Sequence, residues 1–267
     1  LVTMGVTMNI LTSPYKVRPL IRDQAKVWAS ELGLTFVDRK KESLKKLQKM
    51  YGADYILVYG SDRIYAYFGP HQEHDFHLSM AQLRIIQIDR GQGDHLIEAV
   101  GLDCESILDC TLGLGADTIV LSYALGPKTS IEGVEGSLPL WFITSQGLRS
   151  FLHKSPKVTQ ALRRIQTHYG QAESFLESCP DKSKDVVYFD PMFQNPVEES
   201  PQFKPLRGHL VDRPLTSDLL AEAKRVAKKR VVVKERKGAR LFKELPPDYF
   251  VGGKYSKQAY GIYEVDI

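Results

Sequence analysis

Residues 109–117 read Asp-Cys-Thr-Leu-Gly-Leu-Gly-Ala-Asp. An acid follows the apolar pair Ile107-Leu108, Gly113 and Gly115 come next, and helical spacing begins at Asp117. A strand ending on an acid, followed by a glycine turn and a helix, lets backbone approach a ligand closely, and the second glycine removes a side chain that would block a nucleoside. Thr118 stands where the dinucleotide fingerprint has its third glycine, so the turn alone names no ligand. Its value rises with Glu135, twenty residues after Gly115 at the end of the next expected strand, where a carboxylate can accept both ribose hydroxyls. The pair predicts a nucleoside-containing cofactor at the carboxyl ends of two adjacent strands, and does not separate NAD from S-adenosylmethionine. A tight strand–helix turn beside a solvated Glu is the bland alternative.

Outward from this turn, short apolar runs alternate with helical spacing. Ile107–Cys110, Ser130–Glu135, Ile165–Tyr169, Asp185–Asp190 and Val231–Lys234 read as strands, with helices at Asp117–Ala124, Pro139–Leu152 and Ser217–Lys229. Tyr249–Val251 and Ala259–Val265 add two strands. Such alternation predicts an α/β fold with a parallel sheet covered on both faces. Before Gly101 the chain reads as a smaller α/β region: a strand at Val2–Ile10, helices at Arg18–Leu32 and Ser43–Tyr51, and strands at Tyr55–Tyr59 and Ile64–Phe68 joined by a short turn. Helical stretches at Ala81–Ile88 and Asp94–Val100 complete it, and the boundary is expected near residue 100, giving regions 1–100 and 101–267.

A second segment decides between cofactors. Asp190-Pro191-Met192-Phe193 directly follows the run Val186–Phe189. A dehydrogenase has no use for this sequence, whereas an enzyme that methylates a planar amino group does. The lone pair of such a nitrogen is delocalised into the ring. Hydrogen bonds from its two protons to the Asp190 carboxylate and the Pro191 carbonyl favour a more tetrahedral nitrogen, and Phe193 can stack on the base. The competing reading is a strand end at Asp-Pro with Phe193 in the core.

Together with Arg90-Gly91-Gln92-Gly93-Asp94, Glu98-Ala99-Val100-Gly101, Asp109–Asp117 and Lys229-Arg230-Val231-Val232-Val233-Lys234, this run resembles the class I S-adenosylmethionine-dependent methyltransferases. More narrowly, it is similar to the family of the bacterial small-subunit ribosomal RNA guanine-N2 methyltransferase RsmJ and its Gram-positive relatives, the latter matching the first eighty or so residues better. The resemblance implies a Rossmann-like seven-stranded methyltransferase sheet, mostly parallel with the last strand antiparallel, and a small amino-terminal α/β extension. It implies S-adenosylmethionine with its methionine end near Asp109, Gly113, Gly115, Ala116 and Asp117. The ribose would lie at Glu135 and Gly136, the adenine at Gln171 and Ala172, and Asp190 would be shared between cofactor and target. Ala116 stands where RsmJ has arginine, and the stretch after Phe193 lacks the lysine-rich run found there in RsmJ.

The 267 residues carry 36 Lys+Arg and 32 Asp+Glu, a net charge of +4 that is unevenly spread. Between Lys204 and Arg240 there are twelve Lys/Arg and four Asp/Glu, a local excess that suits a phosphate backbone. Lys204, Arg207 and Arg213 flank the catalytic loop and are the candidates for nucleic-acid contact. Lys234 is a further one, or equally an ion-pair partner of Glu235 or another surface acid. The basic run Arg39-Lys40-Lys41 with Lys45, Lys46 and Lys49 reads as a soluble helix more than as an RNA footprint. Gln92-Gly93 is a turn beside the cofactor mouth or a simple helix break. His71, His74 and His77 lack a second shell and are not read as metal ligands, and three unpaired-looking cysteines fit a reducing cytoplasm. No apolar run is long enough to span a membrane. The leading function is therefore methylation of an exocyclic base nitrogen in RNA, guanine N2 of ribosomal RNA above all, on naked RNA or a ribosomal subunit. A methyltransferase for a small-molecule or protein amine, and a non-catalytic RNA-binding protein, are the alternatives.

Overall fold

The computed structural model describes residues 8–191 and 214–265. Backbone proximity groups the described residues into two units: one holds residues 8–76 with Phe142–Gly147, and the other holds 77–141, 148–191 and 214–265. The helices at residues 79–100, read from the sequence as the end of the amino-terminal region, thus belong with the second unit.

The first unit is built on a five-stranded sheet of β1 (Ile10–Thr12), β2 (Thr35–Val37), β3 (Ile56–Tyr59), β4 (Ile64–Gly69) and β5 (Gln72–Asp75), in the order β2-β1-β3-β4-β5. β1 runs parallel to β2 and β3, while β3-β4 and β4-β5 are antiparallel. The helix α1 (Pro19–Glu31) starts on a proline, whose fixed φ suits a first helical position, and buries Ala25 and Ala29. The Ser43 side chain accepts the Lys46 N–H to open α2 (Leu44–Tyr51), and left-handed Gly52 closes it. Both helices and the β3-β4 pair agree with the sequence expectation; β2 and β5 are additional.

In the second unit, α3 (Ser79–Asp89) and α4 (His95–Val100) precede β6 (Ser106–Asp109). There follow α5 (Ala116–Leu125), β7 (Ser130–Glu135), α6 (Leu138–Ser150, of which Phe142–Gly147 group with the first unit), α7 (Pro156–Arg164), β8 (Ile165–Tyr169), α8 (Ala172–Ser178) and β9 (Lys184–Phe189). After the undescribed stretch come α9 (Ser217–Val226), β10 (Ala227–Arg236), α10 (Arg240–Glu244), β11 (Tyr249–Val251) and β12 (Gln258–Glu264). The strand order is β11-β12-β10-β9-β6-β7-β8. β6 through β10 pair in parallel, and β12 runs antiparallel to both its neighbours. The Rossmann-like seven-stranded sheet with an antiparallel last strand is therefore present.

The central strands are apolar without alternation. Ile107, Leu108, Val186, Val187, Tyr188, Val231, Val232 and Val233 are all fully buried, as expected where helices cover both faces of a parallel sheet. From β6 the chain steps to β7 and β8 on one side, then returns to β9 on the other. The carboxyl ends at such a reversal form the crevice where open α/β sheets bind ligands.

Two boundaries differ from the sequence reading: the first strand, expected at Val2–Ile10, is Ile10–Thr12 among the described residues, and the helix before β10 is shorter. The helix expected through Lys229 ends at Val226, and Ala227 already begins β10. Residues 227–230 take helical spacing in isolation, but pairing with β9 claims them for the sheet. Their charges are neutralised at the amino ends of the strands: Lys228 lies 3.5 Å from Asp185, Lys229 2.9 Å from Asp103 and Arg230 3.7 Å from Glu264. Arg225 pairs with Glu222 at 2.9 Å and Asp181 at 2.5 Å. Much of the basic excess thus lies at the opposite end of the sheet from the glycine turn.

Gly133 of β7 is paired in register with Asp109 and leaves room for Leu112, whose Cδ1 would lie 2.6 Å from an added Cβ. Gly133→Ala is therefore expected to push Leu112 out of place and to lower the unfolding free energy by about 1–3 kcal/mol, read from urea denaturation.

Candidate active site

Four acids gather at the carboxyl end of the second sheet: Asp109 ends β6, Glu135 ends β7, Asp190 follows β9 and Asp117 is the second residue of α5. Asp109 is buried. Its Oδ1 accepts the Thr111 N–H at 2.9 Å and the Thr111 hydroxyl at 3.2 Å, and its Oδ2 accepts the Thr118 hydroxyl. Thr111 Oγ1 in turn accepts the Asp190 N–H at 2.6 Å, tying the end of β9 to the turn after β6. Burial pushes the Asp109 carboxyl up to about 7, with Asp117 and Asp190 adding to the rise and the Thr118 and Thr111 donors opposing it.

The glycine turn needs its glycines. Gly113 has φ +55° and Gly115 φ +75°, conformations that side chains with a Cβ rarely adopt. The Gly113 N–H donates to Glu135 Oε2 at 2.9 Å and the Ser137 N–H to Oε1 at 2.7 Å. Glu135 thus spans the turn and the backbone after β7. Burial raises its pKa, against the backbone donors Ser137, Gly113 and Gly136. The Gly170 N–H reaches the Glu135 carbonyl at 3.0 Å, which sets half-buried Gln171 and Ala172 beside the end of β7. Ala116 and Asp117 open α5, and no described side chain caps that helix, leaving first-turn N–H groups as available donors.

Asp117 does not simply line the turn. It accepts the Tyr188 hydroxyl at 2.7 Å, pairs with Arg84 of α3, and receives Lys234 of β10 at 2.9 Å. Lys234 also reaches Asp190 at 2.7 Å, and Arg84 forks onto both oxygens of Asp94 at 2.7 Å each. The result is a chain of alternating charge, Asp94–Arg84–Asp117–Lys234–Asp190. Burial alone would raise the Asp117 pKa, yet Lys234 and Arg84 drive it well below the ordinary carboxylate range. The same neighbours raise Lys234 and Arg84 against their own burial.

Of the residues singled out by sequence, Asp109, Gly113, Gly115, Ala116, Asp117, Glu135, Gly136, Gln171, Ala172, Asp190 and buried Pro191 fall at this end of the sheet. Lys234 is there too, as an ion-pair partner of Asp117 and Asp190. Its side chain is 15% exposed and its ammonium is committed to Asp117 and Asp190. Gln92 and Gly93 form an exposed turn before Asp94, which caps α4. Phe193, Lys204, Arg207 and Arg213 lie outside the described residues. Among the described residues, no three His, Cys, Asp or Glu cluster as a metal site, and no helix is long and apolar enough to cross a membrane. Arg84, Thr111, Thr118 and Tyr188 were not anticipated. The only signal for Arg84 was its place three residues after buried Ala81, at the edge of the buried stripe of α3.

A family model described as "Putative SAM-dependent methyltransferase" matches residues 42–265. The chain belongs to this family. YpiP of Bacillus subtilis is 35% identical over 227 residues, covering 85% of this chain and 88% of that protein. Two proteins named ribosomal RNA small subunit methyltransferase J are also similar. That of Pseudoalteromonas atlantica is 32% identical, covering 62% of this chain and 67% of its own length; that of Hahella chejuensis is 33% identical, covering 61% and 62%. The crystal structure of a SAM-dependent methyltransferase from Neisseria gonorrhoeae shares the fold over 96% of both chains, with a TM-score of 0.65 at 21% identity.

The cofactor of the family is S-adenosylmethionine, and the residues present fit it. Glu135 is a buried acid with acceptor capacity for ribose hydroxyls beyond its backbone donors. The uncapped start of α5 suits the methionine carboxylate. Three carboxylates against two cations leave the charge chain one unit negative, which complements a sulfonium. Glu135→Gln would turn an NH2 group toward a backbone N–H. It is expected to lower stability by about 1–3 kcal/mol in urea unfolding and to speed amide exchange at Gly113 and Ser137.

Proposed function

We propose that this methyltransferase acts on an exocyclic amino group of a base in RNA, guanine N2 of ribosomal RNA being the leading target. The observation that carries this reading is Asp190-Pro191 at the end of β9, beside the glycine turn, with Asp190 held by Lys234. The names of the two relatives called ribosomal RNA small subunit methyltransferase J support the choice of substrate.

When bound, S-adenosylmethionine supplies a methyl group on a positively charged sulfur. In this assignment, Glu135 and Gly136 hold the ribose, Gln171 and Ala172 flank the adenine, and the Asp109–Asp117 turn receives the methionine end. Lys234 occupies Asp190 Oδ2, so Oδ1 is the oxygen assigned to the acceptor's amino group, with the Pro191 carbonyl taking the second proton. Two such acceptors draw the nitrogen lone pair out of conjugation and aim it. Phe193 is assigned to stack on the base, and Lys204, Arg207 and Arg213 to the RNA backbone. Of the amino-terminal region 1–100, the part before α3 is assigned to substrate recognition, since α3 and α4 belong with the second unit. The pairing of Arg225 to Arg230 with acids at the far end of the sheet favours, as a second reading, a small-molecule or protein amine, which needs no basic track.

The test is methyl incorporation from radiolabelled S-adenosylmethionine into small ribosomal subunits, total RNA and a pool of amines, followed by nucleoside digestion. Label in RNA as N2-methylguanosine is the expected result; label confined to the amines would move the assignment to the second reading. Asp190→Asn is expected to lower kcat by about 10²–10³-fold, a larger effect than on S-adenosylhomocysteine binding by calorimetry.

The pH dependence has a defined sign. Burial pushes the Asp190 carboxyl up to about 6, opposed by Lys234 and reinforced by Asp117, and only the ionised form accepts both bonds. The rate is expected to rise about tenfold per pH unit below pH 6 and to level above it. A flat kcat/KM profile from pH 5 to 8 would contradict the role given to Asp190.

A further inference from the structure

We propose that Lys234 is a positioning residue for methyl transfer: gripped by Asp117, it keeps Asp190 ionised and fixed in rotation, with one carboxylate oxygen left to meet the acceptor's amino group. The proposal rests on the reading of Asp190 as the acceptor of that amino group, and adds what keeps Asp190 fit for the task.

A lysine is a flexible stem carrying a compact charge, and on its own it fixes nothing. Here the register of the sheet and a second carboxylate remove that freedom. Val233 of β10 lies opposite Phe189, the last residue of β9, so Lys234 stands level with Asp190 just past the strand end. Its Nζ lies 2.7 Å from Asp190 Oδ2 and 2.9 Å from Asp117 Oδ2. Asp117 is held in turn by the Tyr188 hydroxyl and by Arg84, and Arg84 is clamped by the two oxygens of Asp94. Asp94 cannot drift, because its Oδ1 also accepts the Leu96 N–H at 3.0 Å as the cap of α4. Position is thus handed from the start of α4 through α3 and α5 to β10 and the end of β9.

The groups facing Asp190 come from several elements. Lys234 on β10 favours its ionised form, while Asp117 on α5, Asp109 at the end of β6 and burial oppose it. The Tyr188 hydroxyl on β9 and Tyr260 on β12 stand behind, both with raised pKa from burial and from the nearby acids. Lys234 is the cation that touches Asp190 among the described residues. Arg84 acts one step away: without it, Asp117 has Lys234 as its sole described cation and draws the ammonium from Asp190.

The test reads Asp190 directly. In protein labelled with ¹³C at the aspartate carboxyls, the Asp190 signal is assigned by its loss in Asp190→Asn and titrated by NMR. Wild type is expected to titrate near pH 6. Lys234→Gln is expected to move the midpoint up by at least about one pH unit, Arg84→Gln to move it the same way by less, and Lys234→Arg to restore it. Methyl transfer to the substrate found above should follow, with the acidic limb of Lys234→Gln displaced upward and most of kcat recovered at pH 8 to 9. A lesion that only loosens the fold lowers kcat at every pH. An Asp190 midpoint unchanged in Lys234→Gln overturns the proposal; if that variant does not fold, an unchanged midpoint in Arg84→Gln does so. If instead the titration moves as expected while Asp190→Asn still methylates at the wild-type rate, the acceptor reading of Asp190 fails and the electrostatic coupling stands.

Discussion

Two carboxylates share one ammonium at the carboxyl end of the second sheet, and the rest of the site is arranged around that fact. Taking a charge out of water costs several kcal/mol even after the protein relaxes. Asp94, Asp117 and Asp190 are tolerable together only because Arg84 and Lys234 alternate with them. The requirement reaches into the fold. Lys234 meets Asp190 because β10 pairs with β9 in one register; a slip of one residue would turn it to the other face and bring Glu235 or Val233 to its place. Arg84 meets Asp117 because α3 packs against α5 in the same unit.

This explains what was legible in the sequence. The Asp109–Asp117 turn, Glu135 and Asp190 are local features: an acid at a strand end and glycines in a turn announce themselves within a few residues. The parallel sheet followed from the alternation of short apolar runs such as Val186–Phe189 with helical spacing. The charge chain was not legible, since Arg84 and Asp117 are 33 positions apart and Lys234 and Asp117 are 117 apart. An ion pair has no sequence period. The end of α9 failed for a related reason, because Ala-Lys-Lys-Arg at 227–230 prefers a helix and is overruled by strands distant in sequence. A count of charge between Lys204 and Arg240 does not say at which end of the sheet a lysine lies, and Lys228, Lys229 and Arg230 pair with acids at the amino ends of the strands.

The glycine turn and the charge chain are joined rather than merely adjacent. Thr111 donates its hydroxyl to Asp109 and accepts the Asp190 N–H, so one side chain fixes both strand ends. Asp117 belongs at once to the first turn of α5 and to the middle of the chain. A ligand that orders the turn is therefore coupled to the geometry at Asp190 through two short connections, one neutral and one ionic.

The four acids are also sorted by who carries charge. Asp117, with a cation on either side, is driven well below the ordinary carboxylate range. Asp109 has hydroxyl and backbone donors but no described cation in contact, and burial carries it up to about 7. Asp190 lies between these limits, with half a share of Lys234 and a side chain 30% exposed. A raised carboxyl pKa means the folded state favours the protonated acid, so Asp109 and Asp190 both cost stability as pH rises from about 4 through 7, whereas Asp117 adds stability that is lost only as pH falls through its depressed value. The fold thus spends part of the stability secured at Asp117 to hold, at the mouth of the site, a carboxylate with the capacity to accept a proton.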